Sequence, residues 1–316
     1  MASSPAPIAL FAFNRPQHTG ECLTALAAAK LAGQTDVFVF IDGAKTSSGA
    51  ELTRQVRDVV NAARGHFASL SMIERDRNWG LAANIIDGVT RLTAERGRVI
   101  VVEDDLVVHP EFLAYMNEAL ERLDGDKRVG SIHGYCYPGM QPDEPFFYMK
   151  GGDCWGWATW RDRWALFEPD GRKLLRTLIA RRQLFEFTMG FSAAYCRMLC
   201  RQILGKNNSW AVRWHTSLFL NDRLTLYPAR SLVRNIGFDG SGTHCDSTDV
   251  FNAEQSFDNV PPIKLNALPP PRESQSGNRY FQFFFCGKRR GLSQVFYRFA
   301  SFMLDACWIV RAKAGR

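Results

Sequence analysis

Val99-Ile100-Val101-Val102-Glu103-Asp104-Asp105 sets the fold of this chain. Four consecutive β-branched apolar residues suit a strand buried on both faces. The acidic triplet at its end does not suit a core. Adjacent carboxylates repel one another and cost stability unless a cation or hydrogen bonds compensate. In parallel sheets, ligands bind just past the carboxyl ends of the strands, where such a triplet is useful.

The flanking sequence repeats the pattern. Residues 7–13 (PIALFAF) form an apolar run closed by Asn14-Arg15-Pro16, and residues 36–41 (DVFVFI) a second, closed by Asp42-Gly43. Residues 70–73 make a third strand. Between these runs, apolar residues recur at helical spacing: Cys22, Leu23 and Leu26 after a Thr19 cap; Val56, Val59 and Val60; Ile85, Val89 and Leu92 in residues 82–94. After the acidic triplet, Pro110 suits a helix start that buries Phe112, Met116, Ala119 and Leu120. Buried strands alternating with amphipathic helices predict an α/β protein: a Rossmann-like, mostly parallel sheet flanked by helices, with a C-terminal helical extension.

The second half is less regular. Residues 146–167 are rich in aromatics and glycine, 174–201 read as one helix, and 224–227 and 231–235 as short strands. Residues 235–245 (NIGFDGSGTHC) form a glycine-rich loop. The expected organisation is a catalytic unit over 1–252, in halves of 1–135 and 136–252. A proline-rich linker at 253–278 and a basic aromatic tail at 279–316 follow.

Composition excludes a disordered chain, with 46% hydrophobic and 22% charged residues. The net charge of +7 is carried wholly by residues 279–316, where Asp305 is the one acid. No nucleic-acid-reading motif accompanies that charge. The tail instead fits an interfacial helix on an anionic membrane surface, with Phe296, Phe299, Met303 and Cys307 at helical spacing. A helix docked on the core, or an oligomer contact, is the other reading of that face. The cysteines show no CxxC spacing, and residues 1–7 are small and uncharged. The expectation is free thiols in the cytoplasm, with the protein peripheral on the inner face of the membrane.

Candidate site residues lie at the strand ends. Glu103, Asp104 and Asp105 supply hard oxygen ligands for Mg²⁺ or Mn²⁺, with a diphosphate completing the shell. Phe13, Asn14 and Arg15 follow the first strand, where Arg15 suits a phosphate. Asp42 suits a base N–H. Asn78 and Asn84 flank a helix start whose free N–H groups suit an anion. Asp153, beside the aromatic cluster, is the candidate general base. Trp155 and Trp157 are candidate platforms for a sugar acceptor, although most of the tryptophans suit a core. His244, late in the glycine-rich loop, is a candidate second metal ligand.

The series Phe13-Asn14-Arg15-Pro16, Ile41-Asp42-Gly43, Asn78-Trp79-Gly80-Leu81-Ala82 and Val101-Val102-Glu103-Asp104-Asp105 resembles GT-A glycosyltransferases over roughly residues 6–250. The asparagine-glycine turn is similar to the inverting family-two type. The Glu-Asp-Asp form is similar to N-acetylglucosaminyltransferase I and its bacterial relatives. The resemblance implies that Asp105 binds the metal directly, that Glu103 and Asp104 serve ribose or metal-bound water, and that Asp42 reads the base. It implies that Arg15 approaches the phosphates and that His244 joins the metal. The implied reaction moves a sugar from a nucleotide diphosphate sugar, a UDP-sugar, to a hydroxyl of a glycan or lipid-linked glycan in bacterial surface polysaccharide synthesis. One departure stands out: Trp210-Ala211-Val212-Arg213-Trp214 lacks the acidic pair that such transferases carry between tryptophans. The base and the stereochemical outcome are therefore left open. Two rival readings share the sheet: a nucleotide-binding protein without chemistry, and a nucleotidyltransferase. A dehydrogenase is disfavoured, because no GxGxxG follows the first strand.

Overall fold

The computed structural model describes residues 4–139, 144–240, 251, 257, 265 and 268–314. The first half alternates as read: β1 (Ile8–Ala12), α1 (Pro16–Ala27), β2 (Asp36–Ile41), α2 (Ser47–Ala62), β3 (Ser69–Glu74), α3 (Leu81–Arg96) and β4 (Arg98–Glu103). There follow β5 (Leu106–Val108), α4 (Phe112–Arg122), β6 (Val129–His133), β7 (Phe146–Lys150), β8 (Trp157–Trp160) and α5 (Arg161–Trp164). The chain continues through α6 (Gly171–Ala180), α7 (Leu184–Phe187), α8 (Tyr195–Ile203), α9 (Trp210–Leu220), β9 (Leu224–Pro228), β10 (Val233–Asn235), α10 (Gln275–Phe285) and α11 (Leu292–Ala314).

One eight-stranded sheet runs β3-β2-β1-β4-β8-β6-β9-β7. The strands β1 to β4 are mutually parallel, β8 is antiparallel to β4 and β6, β9 is parallel to β6, and β7 closes the edge antiparallel to β9. The expected mostly parallel sheet with flanking helices is therefore present. Each half of the chain contributes to it, so the two halves share one sheet. A second, two-stranded ladder pairs β10 with β5, setting Asn235 opposite Leu106.

Element boundaries follow local chemistry. Pro16 opens α1, where its missing N–H costs nothing. Thr19 is not the cap of α1. It lies inside the helix, its hydroxyl donating to the Arg15 carbonyl at 2.8 Å. The caps of α2 and α9 are side-chain oxygens of Thr46 and Ser209. Gly97, at φ 80°, ends α3 in the left-handed conformation that favours glycine.

The expected single helix over 174–201 is broken. Arg182, Met189 and Phe191 adopt φ of 58°, 50° and 61°, splitting the stretch into α6, α7 and α8. A straight helix would spread its apolar side chains along one stripe. The breaks instead gather Leu174, Leu178, Phe187, Leu199 and Cys200 into one cluster with Val212 and Phe219 of α9. Trp157 and Trp160 belong to a strand, β8, in the middle of the sheet.

Candidate active site

The carboxyl ends of β1, β2 and β4 lie side by side, because Phe11 pairs with Glu103 and Ala12 with Ile41. This register brings the Asn14–Arg15 turn against the acidic triplet. One terminal nitrogen of Arg15 donates to Asp104 at 2.6 Å and to Asp105 at 3.0 Å. The Phe13 N–H also donates to Asp104, at 3.4 Å. Asn14 is half-buried in the same turn. Lys45 places its ammonium 5.7 Å from the centre of the Phe13 ring.

Electrostatics here are set by burial and mutual charge. Burial works against the Arg15 charge, but Asp104 and Asp105 outweigh it and hold the guanidinium firmly protonated. Asp104 is pushed up from the usual carboxylate range by burial, which Arg15 opposes and Asp105 reinforces. Glu103 is pushed well up by burial, then by Asp105 and Asp104. The triplet is thus short of positive charge even with Arg15 in place. Its donor set is hard oxygen, and Asp105 keeps 15% of its side chain exposed. These residues fit a hard divalent cation.

The glycine-rich loop begins at this site. The Ile236 N–H donates to the Asp105 carbonyl at 2.8 Å, continuing the β5–β10 pairing. A Cβ on Gly237 would lie 2.4 Å from an Asp105 carboxylate oxygen, so only glycine passes there. Asp239 then meets His18 of α1 at 3.2 Å. His244, the expected second ligand, lies outside the described residues. Among the described residues, no three His, Cys, Asp or Glu side chains form a metal cluster.

Asp42 is placed differently from the sequence reading. Its carboxylate accepts from the N–H groups of Gly43, Trp79 and Gly80 at 2.9, 2.8 and 2.9 Å, and from the Asn78 amide at 3.0 Å. A carboxylate offers about four acceptor positions, and all are filled. Asp42 and Asn78 therefore fasten the loop before α3 to the end of β2, rather than facing a base or capping the helix. Gly43 permits the crossing, since a Cβ there would lie 2.3 Å from the Arg77 backbone. Asn84 is also committed inside the fold. It is 2% exposed, accepts from Arg75 at 2.8 Å and donates to the Phe40 carbonyl at 3.4 Å. Asp42→Asn replaces acceptors with an NH₂ that meets buried N–H groups. It is expected to cost about 2–3 kcal/mol in urea denaturation; wild-type stability would show that this network does not hold the loop.

On the acceptor side, Trp155 and Trp157 separate. Trp155 is half-buried, its ring meeting Tyr135, Phe238 and Phe251 at 4.7, 5.6 and 5.3 Å. Trp157 is wholly buried, stacked on Trp210 at 5.4 Å and packed on Trp164 and Trp214. No ring face of Trp157 is free for a sugar, so it is a core residue. The half-buried Cys154 thiol is pushed up by burial, then by the charges of Asp153, Glu103 and Asp105.

The model of Glycosyl transferase family 2 matches residues 8–206, more than half of the chain. The chain belongs to glycosyl transferase family 2. This family-2 protein is accordingly a nucleotide-sugar glycosyltransferase, in a family whose members commonly use a divalent metal. No curated protein matches it. Among solved structures, UDP-glucose pyrophosphorylase complexed with UDP-glucose is similar at 10% identity and a TM-score of 0.36, covering 70% of this chain and 90% of its own. That likeness is too remote to bear on function.

Proposed function

We propose that this family-2 transferase moves a sugar from a UDP-sugar to a hydroxyl of a glycan or lipid-linked glycan, in surface polysaccharide synthesis at the inner face of a bacterial membrane. The observation that supports it most is the Arg15 bridge to Asp104 and Asp105 at the carboxyl edge of the parallel sheet. Asp105 would hold Mn²⁺ or Mg²⁺, which when bound supplies positive charge for the departing diphosphate. Glu103 and Asp104 serve the ribose or metal-bound water, while Phe13, Asn14 and Arg15 line the nucleotide, with Arg15 at the phosphates. Asp153 takes the acceptor hydroxyl's proton as its oxygen bonds to the anomeric carbon. The anomeric carbon–phosphate oxygen bond breaks, and the diphosphate leaves with the electron pair. Trp155 flanks the acceptor. A thermal-shift series with UDP and GDP, each with and without Mn²⁺, tests the donor half. Stabilisation by UDP that needs Mn²⁺ is expected; none with either nucleotide would overturn the reading.

We also propose residues 1–252 as the catalytic unit and, within the tail 279–316, the helix α11 as its membrane contact. The helix α11 packs on α8, where Arg197 donates to the Ser301 carbonyl and to Asp305, and its Ala312 carbonyl accepts from Arg172 of α6. Its acid Asp305 is buried, paired with Arg197 at 2.9 Å. The outward face carries Leu292, Val295, Phe296, Phe299 and Met303, with Phe296 71% and Phe299 63% exposed. Lys288, Arg289, Arg290, Arg311 and Lys313 stand exposed around it. An apolar stripe ringed by cations complements an anionic bilayer. Among the described residues, no helix is long and apolar enough to cross a membrane. Phe296→Asp with Phe299→Asp in the full chain should lower flotation with phosphatidylglycerol vesicles by more than about tenfold. Unchanged flotation would refute the contact. Truncation before α10 is no substitute, because that helix buries Phe281 and Phe284 in the core.

A further inference from the structure

Asp153 is held in a built environment. The segment before β8 runs so closely over α9 that side chains are excluded. A Cβ on Gly151 would lie 2.5 Å from the His215 ring, and one on Gly152 3.0 Å from Trp214. Gly151 also needs φ 91°, which glycine adopts readily. These contacts fix the backbone at Asp153, whose side chain keeps 16% of its surface exposed.

Three side chains from other elements converge on that carboxylate. The hydroxyls of Tyr137 and Tyr227 donate to its Oδ2 at 3.2 and 3.3 Å. Tyr227 is on β9, and Tyr137 lies beyond the end of β6. His133, the last residue of β6, is fully buried with its Nδ1 3.9 Å from the same Oδ2. Its Nε2 accepts the Trp155 N–H at 3.1 Å. That bond requires an unprotonated Nε2, which assigns the ring proton to Nδ1, on the side of Asp153. Burial lowers the His133 pKa, opposed by the Asp153 charge and by a hydrogen bond with the Tyr135 backbone, so the ring is neutral. At 3.9 Å its pull on Asp153 is dipolar, beyond hydrogen-bond range.

The two carboxylate oxygens are therefore unequal. Both acceptor positions of Oδ2 are taken by tyrosine hydroxyls, whereas, among the described residues, Oδ1 accepts the Cys154 N–H at 2.9 Å, with the Cys154 thiol beside the same carboxylate. We infer that His133, Tyr137 and Tyr227 are positioning residues for the transfer step, anchoring Oδ2 and turning Oδ1 towards the incoming hydroxyl. This rests on the reading of Asp153 as the base. The proton passes from the acceptor oxygen to Oδ1, while the carboxylate stays anchored through Oδ2.

Tyr137→Phe and Tyr227→Phe remove the hydroxyls and keep the rings. Turnover is read as UDP release from UDP-glucose and UDP-N-acetylglucosamine with Mn²⁺, water serving as acceptor. Each single variant should lower kcat about tenfold, and the pair more, within general-acid–base magnitudes. UDP affinity and melting temperature should hold. The loss should fall on kcat and leave the donor KM, a split that a merely structural role would not give. Wild-type kcat in these variants, beside an inactive Asp153→Asn, would overturn the positioning role. An active Asp153→Asn would instead overturn the base reading. The single variants decide if the double one does not fold. Nitrogen-15 NMR of labelled imidazoles gives a readout independent of turnover: a neutral His133 protonated on Nδ1 is expected, and a proton on Nε2 would overturn the assignment.

Discussion

Asp105→Ala is expected to leave a folded protein that no longer binds UDP in a Mn²⁺-dependent way. Turnover should fall by roughly three orders of magnitude, a barrier increase of about 4 kcal/mol. The fold should survive because the stabilising contacts of this position lie elsewhere. Arg15 keeps its 2.6 Å pairing with Asp104, and the backbone carbonyl at 105 still accepts from Ile236. The shorter side chain also withdraws from the close approach of Gly237. Removing one of three adjacent acids relieves repulsion that pushes Glu103 up. Titration calorimetry with UDP, with and without Mn²⁺, reads the binding loss, and thermal unfolding reads the fold. Wild-type Mn²⁺-dependent affinity would remove Asp105 from the metal site. Loss of the folded state would mean that the position carries structure instead.

The sheet was legible because its first four strands combine short, largely apolar runs with polar strand ends, a pattern strong in sequence. The site's basic end was legible for the same reason: Arg15 and the triplet follow neighbouring parallel strands, and register alone brings them together. The rest depends on contacts that local sequence does not encode. Asp42 reads as a ligand at a strand end, yet the Asn78–Gly80 loop folds back and consumes its acceptor positions. The Asp153 environment draws on His133 and Tyr137 from the end of β6 and on Tyr227 from β9, two segments distant in sequence and joined by strand order β8-β6-β9. One signal was present: glycines at 151, 152 and 156 around an acid mark a backbone that must approach something closely. The break between α6 and α7 had no such signal, because Arg182 is not a residue that favours positive φ, whereas the break before α8 holds Gly190, at φ 67°.

The two tryptophans that sequence treats alike should separate by experiment. Trp157 has no exposed surface and sits among Trp164, Trp210 and Trp214, between the sheet and α9. Trp157→Ala would empty a large volume that a central strand and a helix cannot close, costing about 3–5 kcal/mol. In a chain of this size that lowers the melting temperature by on the order of 10 °C. Trp155 is half-buried, its N–H on His133 and its ring beside Phe238 of the segment after β10. Trp155→Ala should cost less stability and instead raise the acceptor KM, because an aromatic face lost from a sugar subsite weakens binding before it weakens the fold. Thermal unfolding of both variants, beside UDP affinity as the control for the nucleotide end, separates the roles. A stable Trp157→Ala protein with impaired acceptor use would reverse the assignment, and would mean that the tryptophan cluster opens to admit the acceptor.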